Sequence, residues 1–283
     1  MITASMFNSI KEALAKSESS SSNSLYKEIL KFKEGNTYVL RLLPNLKEPS
    51  KTFYHFFSHG WNSFSTGQYV SALSLQTIGQ PDPIGRERYR LSKTGTDEEK
   101  KKVADVKWQE QWYVNVYVVD DPVNPSNNGT VKIFRYGKKL DQKITSAISG
   151  DDSDEFGVKV FDLSPAGVNF KLKVEKNQGG FISYDASRFT SPVDLNLSKE
   201  KQTEILESIH DLTAVNTLKS EQELLDMWNT HFLCKENTST PTSQASTVST
   251  PETPKAASKT EDKADDSEIS DEMIADLLKG LEN

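Results

Sequence analysis

The strongest constraint on how this chain folds is a pair of strand-like runs joined by a dense turn. QWYVNVYVV at 111–119 and TVKIFRYG at 130–137 are rich in β-branched and aromatic residues, and DDPVNPSNNG, a run of turn formers, separates them. That punctuation breaks a helix and suits a long β-hairpin. Runs of the same kind lie on either side: TYVLRLLP from Thr37, TFYHFFSHGW from Thr52 and NFKLKVEK at 169–176. Five or more such strands predict an antiparallel barrel or sandwich.

After Ser198 the period changes. Ile205, Leu206, Ile209 and Leu212 mark one helix, and Leu224, Leu225, Trp228 and Phe232 mark a second, which Ser220 and Glu223 open as a capping box. These two helices are expected to close the core, giving a mainly β fold with α. At the other end Phe7, Ile10 and Leu14 recur at helical spacing before the loop SESSSSNS. Residues 1–24 therefore read as an arm on a body spanning 25–235. From Glu236 to Asn283 there is no aromatic residue, and Ser, Thr, Pro, Ala, Asp, Glu and Lys predominate. Such a segment cannot offset its ordering entropy by burial, so 236–283 is expected to be a disordered acidic tail.

The formal charge of −7 misleads until it is divided along the chain. The last 48 residues hold 11 acidic and 4 basic side chains, which is the whole imbalance; the preceding 235 hold 30 of each. Between Arg86 and Lys143 there are 13 Lys or Arg against 9 Asp or Glu, so basic charge gathers where aromatic residues are also dense. A single cysteine, Cys234, forbids an intramolecular disulfide and fits a reducing compartment. No apolar run has the length of a membrane span, and the N-terminus lacks a secretory core, so a soluble intracellular protein is expected.

No phosphate-cradling loop, nucleophile elbow or metal-spaced His pair on a helix occurs. Asp120 with Asp121, and Asp151 with Asp152, sit among turn residues, where Asp serves the backbone. An enzyme is not expected. What remains is binding. In QWYVNVYVV, Trp112 and Val114 share one face while Tyr113, Asn115 and Tyr117 share the other. Phe134 and Tyr136 lie together opposite Arg135, with Lys138 and Lys139 at the strand end. Aromatics on both faces beside clustered cations fit a surface on which bases stack, each worth ~1–3 kcal/mol, while Lys and Arg hold phosphates. Ordinary core packing accounts for the same alternation, which does not say which face is wet.

The run WYVNVYVVDDPVNPSNNGTVKIFRYGKK, followed by AGVNFKLKVEKNQGGFISYDASRF, closely resembles the single-stranded DNA-binding proteins of T-even-type bacteriophages, the gene thirty-two protein family. VLRLLPN, FFSHGW and the acidic-apolar ending match in the same order, so the resemblance covers about residues 35–235 plus the tail. It implies an OB-fold core, a five-stranded antiparallel barrel, whose cleft holds single strands in DNA replication, recombination and repair. On matching positions Trp112 and Tyr113 form an aromatic pair, Phe134 is the next stacking position, and Phe181 with Tyr184 forms the far side of the cleft. Arg135, Lys138, Lys139 and Lys107 would contact phosphates. Arg86, Arg88, Tyr89 and Arg90 lie where the match is poor and are proposed on charge and aromaticity alone.

Two departures from the family matter. Its members commonly hold zinc through one His and three Cys in the stretch after the SHG match. Here His59 remains, but no cysteine occurs between Gly60 and Lys107, and the place of Cys-x-x-Cys reads Gln80, Pro81, Asp82, Pro83. A closed zinc site needs four ligands, so no zinc and no other cofactor is expected, with the lobe held by packing among Trp61, Phe64, Tyr69 and Leu73. The family's basic N-terminal arm docks on the neighbouring protomer; here Lys11 and Lys16 are offset by Glu12 and Glu18, leaving Phe7, Ile10, Lys11 and Leu14 for self-association along the strand.

In the tail, Ile269, Met273, Ile274, Leu277, Leu278 and Leu281 fall at helical spacing among carboxylates. An acidic segment with an amphipathic end suits docking on phage replication proteins such as polymerase, clamp-loader or helicase-primase components, and it can occupy a basic cleft as a phosphate mimic. The resemblance places the protein in the cytoplasm of the infected bacterial host. The alternatives are a single-stranded RNA binder regulating translation and a phage structural or scaffolding protein.

Overall fold

The computed structural model describes residues 25–235. The expected arm, with Phe7, Ile10, Lys11 and Leu14, and the expected tail, with its apolar positions from Ile269 to Leu281, lie outside the described residues. Within them the strands are β1 (Thr37–Leu43), β2 (Phe53–Asn62), β3 (Tyr69–Leu73), β4 (Lys107–Asp120), β5 (Val131–Gly137), β6 (Val168–Lys173), β7 (Glu175–Lys176), β8 (Ile182–Ser183) and β9 (Arg188–Pro192). The helices are α1 (Pro83–Thr94), α2 (Asp97–Ala104), α3 (Lys138–Ser149), α4 (Lys199–Glu207) and α5 (Glu221–His231).

The long hairpin forms where the turn residues put it, with Tyr113 opposite Arg135 and Tyr117 opposite Val131. Buried Asp121 organises the turn: Oδ1 accepts from the Val123 and Asn124 amides at 3.0 and 2.9 Å, and Oδ2 accepts from Asn127 at 2.7 Å. β4 is long enough to pair with two strands along one edge. Its first half takes Phe53–Gly60 of β2, its second half takes Val39–Leu43 of β1, and β5 occupies the other edge. The sheet therefore runs β3-β2-β4-β1-β6-β9 with β5 beside β4, and every ladder is antiparallel. The protein is thus a mixed α/β fold on a large antiparallel sheet.

Period-two alternation sorts the side chains. Val114, Val116 and Val118 face inward with Leu40, Leu42, Phe134, Tyr136 and Phe170, and α3 covers them with Leu140, Ile144 and Ala147. Each fully buried large apolar side chain stabilises the fold by about 1.5–3 kcal/mol. On the opposite face Tyr113 packs with Phe56, Leu73, Ile29 and Ile133 beneath Leu212 and Val215. A third cluster builds the lobe inserted between β3 and β4: Trp61, Ile84, Leu91, Val103 and Val106 against Leu224, Trp228 and Phe232. Buried Arg41 ties the sheet to the 162–193 segment. Its guanidinium donates to Asn169 Oδ1 at 2.8 Å, to the Val193 carbonyl at 3.0 Å and to the Asp162 carbonyl, and burial lowers its pKa to about 10 against the opposing pull of Asp162.

Several expectations are corrected. The helix expected over 205–212 ends at Glu207, and Leu212 opens a separate 3-10 turn whose entry Asp211 caps, accepting from the Thr213 amide at 3.0 Å. α5 has its complete capping box but closes the lobe rather than the main core. NFKLKVEK is not one strand: β6 stops at Lys173, the Val174 amide turns to Asn36 O at 3.0 Å, and β7 pairs with β8 in a small separate hairpin. Three further helices lie where no period was read. α1 starts at Asp82 with Pro83 in its first turn, α2 at the Thr96–Glu99 capping box, and α3 at Gly137, so Lys138 and Lys139 belong to a helix start rather than a strand end.

Candidate nucleic-acid interface

The face that carries Tyr113 continues along the odd positions of β4 as Gln111 and Gln109, opposite Phe56 and Ser58 of β2. One cavity opens on it, and a second lies beside it along β5. The first, about 330 Å³, is lined by Ser58, Tyr69, Ser71, Gln109, Asn216 and Lys219 among others; the second, about 410 Å³, by Lys31, Phe32, Leu140 and Tyr184. Tyr26, Gln111 and Arg135 line both, so the two adjoin and are described together as one groove. Its rim carries aromatic rings the core does not need: Tyr26 is 48% and Tyr69 62% exposed. Tyr69 lies across Gly60, where a Cβ would collide with the Tyr69 hydroxyl.

The expected stacking residues divide. Tyr113, Phe134 and Tyr136 are buried, so none of the three offers a free ring face; of the two explanations the alternation allowed, core packing describes them. Tyr113 lies 4.5 Å from Phe56 between ring centroids, and its hydroxyl accepts from Asn216 Nδ2 at 2.9 Å; burial raises its pKa. Phe134 sits edge-on to Phe32 at 5.6 Å, and burial pushes the Tyr136 phenol far up. All three still form the groove's floor. Trp112 is half-buried on the opposite face, stacked on His55 at 4.6 Å and on Tyr136 at 6.1 Å. The same row continues through Phe57 to Trp108, which is 39% exposed.

Tyr184 lines the groove half-buried, its phenol pKa raised by burial, and Phe181 stands 73% exposed at the tip of the small hairpin. Arg135 is exposed and reaches both cavities. Lys138 and Lys139 are exposed in the first turn of α3; Lys139 Nζ lies 3.5 Å from Asp185, beside Tyr184. Lys107 donates to the Ala104 carbonyl at 2.9 Å. Arg86, Arg88, Tyr89 and Arg90 lie on α1 and line neither cavity; Arg86 pairs with Glu221 at 3.5 Å and Arg90 with Glu87 at 2.8 Å. Tyr26, Lys31, Gln109, Gln111 and Lys219 were not anticipated. For the two glutamines the signal was present, since they continue the alternation that carries Tyr113.

The lobe does not fit the zinc that the family resemblance implies. His59 is buried, and its Nε2 lies 2.5 Å from Asp82 Oδ2. Among the described residues no group of three His, Cys, Asp or Glu could hold a metal ion. The same Asp82 oxygen accepts from the Gly85 amide at 2.9 Å, capping α1. Burial alone would raise the Asp82 carboxyl, but the His59 contact and the Gly85 amide outweigh it and hold the group below its ordinary value. A polar clasp thus joins β2 to α1. Of the four packing residues named for the lobe, Trp61 and Phe64 belong to its cluster, Leu73 packs beside Tyr113, and Tyr69 faces the groove.

The family model described as gp32 DNA binding protein like matches residues 33–232, from before β1 to the end of α5. This chain belongs to that family. It is 31% identical over 201 residues to the single-stranded DNA-binding protein of Enterobacteria phage T4, covering 69% of this chain and 64% of that protein. It is also 31% identical over 193 residues to the single-stranded DNA-binding protein of Enterobacteria phage T2, covering 66% and 62%. The chain thus spans a little under two thirds of the length of these relatives. Tyr26 and Lys31 precede the family match, so part of the groove wall comes from a segment the family model does not include.

Proposed function

We propose that the protein binds single-stranded DNA in this groove without covalent chemistry. The observation that carries the reading is that the two cavities adjoin at Tyr26, Gln111 and Arg135, in a chain whose relatives are named for single-stranded DNA binding. Tyr26, Tyr69, Phe181 and Tyr184 supply ring faces, while Arg135, Lys31, Lys219, Lys138 and Lys139 supply positive charge for phosphates. Every base has a π-face, so sequence preference from stacking is weak, and trapping single strands lowers duplex stability by mass action without ATP.

The core in this reading is an OB-type barrel. The order β5-β4-β1-β6-β9, with α3 between β5 and β6, supports it. The lobe keeps its shape without zinc through the His59–Asp82 clasp and the Trp61–Trp228 cluster. The arm serves protomer contact along the strand. The acidic tail serves recruitment of phage replication proteins and competes with DNA for the groove, in the host cytoplasm during replication, recombination and repair.

Fluorescence anisotropy of labelled oligo-dT, matched oligo-U and duplex at several salt concentrations tests the reading. Affinity for oligo-dT should exceed that for duplex and fall with salt at a log–log slope of about −0.7 per phosphate neutralised. Equal affinity for oligo-U would favour the RNA binder, because the 2′-OH is what distinguishes the two. Absence of binding at low salt would overturn the proposal.

A further inference from the structure

Four polar side chains on the grooved face are not used by the fold. Ser58 stands opposite Gln109, and Gln111 lies two residues along β4. Ser71 is on the neighbouring strand, opposite Gly60. All four line the 330 Å³ cavity. Other polar groups of the same recess do serve the fold: Asn216 donates to the Tyr113 hydroxyl at 2.9 Å. The Ser58 and Ser71 hydroxyls and the two glutamine amides make no hydrogen bond among the described residues. Water meets their needs in the free protein, so they cost the fold little. Nor do they stabilise it, and their clustering in one recess asks for a ligand.

The chemistry of the recess is specific. A glutamine amide presents a donor and an acceptor side by side, the complement of a nucleobase edge, and such bidentate pairs discriminate among bases. The walls are Tyr26 and Tyr69, both largely open, and Gly60 leaves room for the Tyr69 ring to lie against the strand. The volume is at the small end for ligand pockets, sized for one planar group rather than a larger ligand. Stacking alone would be served by an apolar recess, and this one is lined with hydrogen-bonding groups.

We infer that this recess takes one unpaired base and hydrogen-bonds its Watson–Crick edge through Gln109, Gln111, Ser58 and Ser71. The inference rests on the groove being the single-strand site. It adds a reason for selecting single strands that stacking does not supply. In a duplex the Watson–Crick edge is already occupied, so a paired base cannot satisfy the amides. Because an amide can turn over about its last bond, the recess accepts different bases while still requiring a free edge.

The test compares oligo-dT with an oligomer of N3-methylthymidine of the same length. The methyl group blocks the edge N–H and leaves the ring face, sugar and phosphates in place. The full chain should bind the methylated strand at least about fivefold more weakly, the low end of what one bidentate amide–base contact discriminates. The double variant Gln109→Met with Gln111→Met keeps side-chain length, removes the amides and leaves the two hydroxyls; it should lose most of the discrimination between the strands. Equal binding of the two strands by the unaltered protein, which needs no variant, overturns the inference while leaving single-strand binding intact. Retention of the full preference by the double variant also overturns it. Failure to bind plain oligo-dT sinks the groove reading and this inference together.

Discussion

Replacing Asp82 by alanine removes one carboxylate from two jobs at once, as partner of His59 and as the cap of α1. The His59 side chain is fully inaccessible and that of Asp82 is 11% exposed, so the loss leaves a buried imidazole without its partner. Leaving a buried hydrogen-bonding group without its partner costs about 1–3 kcal/mol, and losing a helix cap about 0.5–2 kcal/mol more. In a domain of about 150–250 residues each kcal/mol moves Tm by about 2–4 °C, so Asp82→Ala should melt on the order of 3–20 °C below the unaltered protein. The assay is a calorimetric or circular-dichroism melt, run with and without a chelator. The carboxyl's pKa is depressed in the folded state, so its contribution is present above the ordinary carboxylate range and is lost as pH falls through the lowered folded value. The gap between the two proteins should therefore be full near neutrality and close on acidification. A variant that melts with the unaltered protein, or a chelator that lowers the Tm of the unaltered protein, would refute the clasp as the replacement for a metal.

Phe134→Ala should destabilise the protein by about 3–5 kcal/mol, seen in chemical denaturation, because the ring is core. A change in DNA affinity without loss of stability would instead restore Phe134 as a stacking platform. Gly60→Ala should displace the exposed phenol of Tyr69 and so weaken oligo-dT binding with little change in Tm, whereas a large Tm loss would mean that Tyr69 is structural. Arg135→Ala should reduce the salt slope of binding by about 0.7, measured by anisotropy across salt concentrations, and an unchanged slope would remove Arg135 from the phosphate path. Deletion from Thr238 onward should strengthen binding at low salt; weaker binding would end the idea that the tail competes with DNA.

What the sequence determined by itself was local. The hairpin 111–137 was legible because pleat-forming runs flank turn residues, and the capping box at Ser220 because Ser and Glu at that spacing satisfy the first-turn amides whatever surrounds them. The alternation along β4 also separated its two faces correctly. It could not say which face is dry, because burial depends on what packs above each face: α3 closes one, while the 25–29 and 212–215 segments close the other only as far as Tyr113. So Tyr113, Phe134 and Tyr136 became floor, and Gln111 and Gln109, two and four residues before Tyr113 on the same strand, stayed open. Tyr69 went the other way, from expected packing to the rim, because Gly60 leaves it a place to lie. The partner of His59 was hidden for a similar reason. Asp82 is 23 residues away, and only the fold of the lobe brings that carboxylate to the imidazole.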